Sequence, residues 1–264
     1  FWLMWRALML TLWQTGFRKC EVSLPPRSHW HKGRLARSFL TWRVGGKDYA
    51  SLTPQQLEHL QPGDFAIIRP PVLKNDPFSR VFGSKPIYLP FRRGDVLNAA
   101  AALRDLELHS PVPDAERGSI PLFAADGKAE FLRHSTVDST LRALLECVLP
   151  TEQAARYSAH SFRIGLACAL LAMKLPNPLI QALLRWQGDG ALKIYARLTP
   201  EEYGQTLSEA SFVEATSITS NNLPRIDNDD LVARCRAFYR KDQSDASAQA
   251  DDASQVDPDE DDDD

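Results

Sequence analysis

The chain has 264 residues, 44% apolar and 25% charged, an ordinary balance for a globular protein with material for one large domain or two small ones. Its net charge of −3 hides an uneven distribution, because residues 242–264 hold 11 acids and no base, leaving 31 basic against 23 acidic residues in 1–241. The basic body suits a polyanionic partner. The four cysteines (Cys20, Cys147, Cys168, Cys235) form no CxxC pair, which argues against a disulfide framework or a zinc site and for a reducing, intracellular setting.

The opening run Phe1 to Trp13 is strongly apolar, but Arg6 interrupts it and it is too short to span a bilayer. It reads as a buried helix over residues 1–16, stopped at Gly16. Residues 38–44 read as a strand ended by Gly45-Gly46. Thr53-Pro54-Gln55-Gln56 predicts a helix start with Thr53 as the cap and Gln56 reaching back, closing at Pro62-Gly63. Asp64 to Arg69 and Pro86 to Leu89 are two further strands, joined by a polar loop that contains Lys74. Helices are predicted at about 95–107, 136–148, 160–174, 178–186, 190–197, 200–215 and 229–240. Asn177-Pro178 and Thr199-Pro200 supply cap-plus-proline starts. From Asp242 onward nothing can form a core, and a disordered acidic tail is expected.

Four stretches carry candidate chemistry: Thr15-Gly16-Phe17-Arg18-Lys19-Cys20-Glu21, Lys74 in its loop, His160-Ser161-Phe162-Arg163, and Leu183-Leu184-Arg185-Trp186 followed by Tyr195. His160 and Arg163 stand three apart on a helix and share a face. Two arginines, a lysine, a histidine and a tyrosine are the groups that phosphodiester transfer requires when no metal is used. Guanidinium groups can hold both non-bridging oxygens and balance transition-state charge.

This pattern resembles the tyrosine recombinase (phage integrase) family: TG-hydrophobic-R-x-x-E, then H-x-x-R, then a His or Trp, then a nucleophilic Tyr. The 23 residues from Arg163 to Trp186 and the 9 from Trp186 to Tyr195 are similar to the family's spacing. HSFR and RW resemble eukaryotic mobile-element members, and the resemblance covers roughly residues 1–215.

The resemblance implies an α+β, mainly α, DNA breaking-rejoining domain with a small antiparallel sheet that carries the lysine. It implies a catalytic domain over 1–225, a C-terminal helix over 226–241 and the tail over 242–264. Tyr195 would attack phosphorus to give a 3′-phosphotyrosyl bond, and Arg18 and Arg163 would clamp the phosphate. Lys74 would protonate the departing 5′-oxygen, His160 would assist proton transfer from the tyrosine, and Trp186 would offer its indole N–H. No cofactor or metal is implied. The partner would be double-stranded DNA, bound by a homo-tetramer inside the cell (in the nucleus if the host is eukaryotic), with no membrane and no small-molecule substrate. The family's additional N-terminal DNA-binding domain would lie before Phe1.

The sequence departs from the family in two places. The interval from Arg18 to Lys74 is long, implying an insertion around 27–63, and Lys47 and Lys85 are rivals for the lysine role. The usual glycine before the His/Trp position is Arg185. Tyr203 and Tyr157 are rival nucleophiles that read better as packing or surface residues. Glu21 reads as a brace for Arg18. His29, His31, His59, His109 and His134 show no ligand spacing. Lys32, Arg34 and Arg37 form either a phosphate-tracking patch or a solvated face. The other functional readings are a domesticated DNA-binding protein that no longer cuts, a type IB topoisomerase-like enzyme, and a helical interaction protein.

Overall fold

The computed structural model describes residues 1–30, 35–70, 85–124, 131–173, 175–186, 200–212 and 231–241. Helix α1 (Trp2–Thr15) is the central strut, with Met4, Trp5, Ala7, Leu8, Leu10 and Leu12 all buried. A helix apolar on most sides must be covered on most sides. Here the cover comes from α4 (Ala99–His109) and α7 (Ala159–Ala172). The one charge in α1, Arg6, reaches Asp105 of α4 at 2.9 Å. Among the described residues no helix is long and apolar enough to cross a membrane.

The sheet has four antiparallel strands in the order β2-β1-β3-β4: β1 (Leu40–Val44), β2 (Lys47–Tyr49), β3 (Phe65–Ile68) and β4 (Ile87–Pro90). Strand β2 is a correction to the sequence reading. Gly45 and Gly46, both at positive φ, do not end the strand but turn it into a two-residue hairpin that pairs Val44 with Lys47. The Asp64 carboxylate accepts from the Gly45 and Gln61 backbone N–H groups at 3.0 and 2.8 Å, fixing that turn to the start of β3. β3 and β4 form the expected hairpin, Ile68 facing Ile87, and Lys74 in its loop lies outside the described residues.

Thr53 caps α3 (Pro54–Glu58) with the reciprocal bonds expected of it, Gln56 N–H to Thr53 Oγ1 at 3.3 Å and Thr53 N–H to Gln56 Oε1 at 2.9 Å. The helix expected from residue 95 begins at Ala99. Asp95 instead folds a turn by accepting the Leu97 N–H, and Asn98 is the true cap, accepting from Ala101 N–H at 2.7 Å while donating to Pro90 O. α5 (His134–Glu146) lies two residues ahead of the expected 136–148, while α8 (Asn177–Leu183) starts at the expected place, with Pro176 rather than Asn177 at its cap, but ends at Leu183 instead of running to Trp186. Two single-turn helices, α2 (Lys19–Val22) and α6 (Thr151–Ala154), are additions. α9 (Pro200–Phe212) packs on β4 and on α7. Buried Gln14 of α1 joins these parts, accepting from Ala99 N–H and donating to Leu97 O and Ser211 Oγ, each at 3.1 Å. The helical stretch 231–241 lies against α5 and the start of α1, with Leu231 and Cys235 packed among Ala143, Leu144, Phe1 and Trp2.

Arg37 belongs to neither a phosphate-tracking patch nor a solvated face. It is 1% exposed and donates to Glu107 of α4 at 2.9 Å, while Arg117 donates to the other carboxylate oxygen at 2.7 Å and to the carbonyls of Arg37 and Leu40. This buried ion triplet ties the segment before β1 to α4. Lys32 and Arg34 lie outside the described residues.

The junction of α1 with the next turn generates one prediction. Gly16 sits at φ 57, donates its N–H to Leu12 O, and a Cβ there would stand 2.8 Å from Leu184 Cδ2. Gly16→Ala should therefore cost about 2–3 kcal/mol, left-handed strain plus displacement of Leu184. Urea unfolding of the two proteins measures it, and a loss under about 0.5 kcal/mol would mean the turn has slack.

Candidate functional site

The site is assembled by turns at helix ends. At the end of α1, Thr15 Oγ1 donates to Thr11 O at 2.6 Å and accepts from Phe17 N–H at 3.1 Å, so the chain reverses sharply after Gly16. Phe17 is fully buried, and Arg18 follows as the extended residue before α2, half-buried. Glu21 accepts the Arg18 backbone N–H at 2.6 Å. The expected brace is therefore present, but it holds the main chain of Arg18.

α7 supplies the second stretch. Gly165 lets it approach α1 so closely that a Cβ would meet the Trp13 ring at 2.7 Å. One turn earlier His160 is exposed, its backbone N–H bonded to Ser158 Oγ, while Arg163 is only 2% exposed. The Arg163 guanidinium donates to two main-chain carbonyls, Gly16 O and Leu184 O. The first belongs to the turn that carries Arg18 and the second to the turn that carries Trp186. Burial lowers the Arg163 pKa to about 10, assisted by the nearby positive charges of Arg185 and then Arg18, with Glu21 opposing. The group stays protonated at neutral pH.

The third stretch closes α8. Leu183 and Leu184 are buried, and the backbone N–H of Trp186 donates to Gln181 O at 2.8 Å. Trp186 is 38% exposed, with its ring centroid 5.9 Å from the Arg163 guanidinium carbon. A tryptophan following two core leucines would ordinarily be core as well; this one is kept at the surface beside a cation. Arg185 adopts φ 54, the left-handed region. Its guanidinium is 2% exposed, lies 4.5 Å over the Phe17 ring and places Nη2 3.2 and 3.3 Å from the two Glu21 oxygens.

Arg18, Arg163 and Trp186 are thus brought to one locus with His160 one turn from Arg163, although 168 residues separate the first from the last. Tyr195 and Lys74 lie outside the described residues. The rival lysines flank opposite edges of the sheet: Lys47 opens β2, and Lys85 precedes β4, the strand on which α9 packs. Of the rival tyrosines, Tyr157 is exposed just before α7. The residues that sequence reasoning undervalued are Glu21 and Arg185, a buried ion pair. Its only signal was an arginine where the resemblance expects glycine. Among the described residues no cluster of His, Cys, Asp or Glu could hold a metal, and no disulfide joins the described cysteines. Compared with protein-family models, curated proteins and solved structures, the chain matches none.

Proposed function

We propose that the chain is the catalytic domain of a tyrosine recombinase, cutting and rejoining double-stranded DNA through a covalent bond from phosphate to Tyr195. The observation that carries this reading is the pair of bonds from Arg163 to Gly16 O and Leu184 O. They join the turns bearing Arg18 and Trp186, so three motif stretches far apart in sequence meet where the proposed chemistry needs them.

The roles follow from the groups. A phenol with pKa about 10 is a weak nucleophile at neutral pH and needs neighbouring cations or a base, which Arg18, Arg163 and exposed His160 provide. The guanidinium of half-buried Arg18 takes a non-bridging oxygen, and buried Arg163 adds charge at short range where the dielectric is low. The Trp186 indole donates without accepting, so it binds phosphate and moves no proton. The departing 5′-oxygen needs a general acid. Lys74 takes that role, in the sequence interval between β3 and β4 where the resemblance places the lysine, whereas Lys47 sits on the far edge strand. Keeping the phosphate as a tyrosyl ester conserves the bond energy for religation, so neither ATP nor metal is required. A tetramer on DNA, a mobile-element origin and an intracellular location, nuclear in a eukaryotic host, complete the proposal.

A second reading is favoured by the same arginine. Arg163 is almost fully buried and bonded to carbonyls, which suits a tie that holds turns together in a DNA-binding protein that no longer cuts. Cleavage separates the two. Incubated in EDTA with nicked duplexes of randomised sequence, the wild-type protein should yield covalent adducts from which a preferred site can be sequenced. Tyr195→Phe should abolish the adducts and leave DNA affinity within about twofold. Adducts that persist, or that map to Tyr203, would overturn the assignment; no adduct from the wild type favours the second reading. A topoisomerase-like enzyme would instead relax supercoiled DNA as a monomer with no preferred site.

The lysine is tested on the recovered site. Lys74→Ala should slow cleavage on the order of 100-fold, and a 5′-bridging sulfur, which departs without a proton, should restore the rate. Sulfur rescue of Lys47→Ala or Lys85→Ala, with Lys74→Ala unaffected, moves the role to that residue.

A further inference from the structure

We infer that Arg185 is a positioning residue for the phosphate clamp, a staple that holds the turn bearing Trp186 against the turn bearing Arg18 through Glu21. The inference rests on the recombinase reading and adds to it a residue pair that the reading does not use.

Three observations support it. First, Arg185 occupies a backbone conformation at φ 54 that glycine would take without strain, so the side chain must offset the cost of being there. Second, its guanidinium is buried and aimed across the site. Nη2 faces both oxygens of Glu21, itself 3% exposed, and the group covers the Phe17 ring, while Nε and Nη1 are buried without hydrogen-bond partners among the described residues. A cation placed this way contributes little as filler and much as the counter-charge to Glu21. Third, the other Glu21 bond goes to the Arg18 backbone N–H, and the residues flanking Arg185 are Leu184, whose carbonyl receives Arg163, and Trp186. One ion pair therefore sets the spacing of all three clamp residues.

The staple also accounts for the like charges near Arg163. Arg185 sits close enough to repel it, and Glu21 is the carboxylate that offsets the repulsion. Without Glu21 the turn would carry adjoining buried cations and no buried anion among the groups acting on Arg163.

The experiment measures single-turnover adduct formation at saturating DNA, on the nicked site recovered from the randomised pool. It compares wild type, Arg185→Gly, Arg185→Lys, Glu21→Gln and the Glu21→Gln/Arg185→Gly double variant. DNA affinity and urea unfolding are followed in parallel. Glycine suits the backbone at 185, so Arg185→Gly is the variant best placed to fold. Its cleavage rate should fall tenfold or more while DNA affinity stays within twofold. Arg185→Lys, which keeps the charge toward Glu21, should recover part of the rate. The double variant should be no slower than the slower single one, since both remove the same contact. Arg185→Gly cleaving at the wild-type rate, losing affinity alone, or adding its full effect to that of Glu21→Gln would overturn the inference. If Arg185→Gly does not fold, Arg185→Lys and Glu21→Gln decide it by the same criteria. A wild-type protein that forms no adduct sinks the recombinase reading itself, and the inference with it.

Discussion

The arrangement of this molecule depends on a guanidinium that bonds to main chain rather than to an acid. Arg163 reaches two carbonyls exposed by helix ends, one after α1 and one after α8, at the places where helices leave acceptors unsatisfied. A planar fork with several donors can bridge two such ends at once, which a lysine cannot. α7 is therefore fixed to both neighbours by the residue that the proposed chemistry also uses.

The protein handles buried charge in two ways. Around Glu107, two arginines and one carboxylate bond to each other and to backbone carbonyls, away from the motif residues, and the cluster joins the segment before β1 to α4. Burial lowers the Arg37 pKa, with Glu107 opposing. Around Glu21 the balance is looser: Arg185 faces the carboxylate, Arg163 faces carbonyls, and Arg18 is half exposed. A closed cluster is what stability alone would select. An excess of positive charge at the end of a turn, beside an exposed tryptophan, suits an arriving anion.

Most of the fold was legible because its signals are local. Thr53 and Gln56 specify their own helix start, and the apolar run of α1, with Arg6 its one charge, requires burial from most sides. The hairpin around Lys74 follows from two short β-rich runs. What failed to show were long-range and competing local choices. The segment from Asp95 has a helical pattern, yet Asp95 closes its own turn first and Asn98, tied to Pro90, takes the cap. Arg37 looks like one of a basic surface group until Glu107, 70 residues on, draws it inside. Gly45-Gly46 marks a stop as readily as a hairpin, and only the pairing with Lys47 decides. Of the candidate site, Arg18, His160, Arg163 and Trp186 were suggested by the motif resemblance, whereas the Glu21–Arg185 pair spans 164 residues and appears in sequence only as an unexpected arginine.

The stretch 231–241 gives the body a mechanical property. Phe1 lies under the Arg236 guanidinium at 5.3 Å and shares an apolar cluster with Leu231 and Cys235, while Tyr239 enters the main core. Here the opening helix and the last described one hold each other, so neither peels away without loosening its counterpart. Because α1 is also the strut that carries Gly16, a pull on residues near 241 is transmitted along one continuous helix to the turn where Arg163 is anchored.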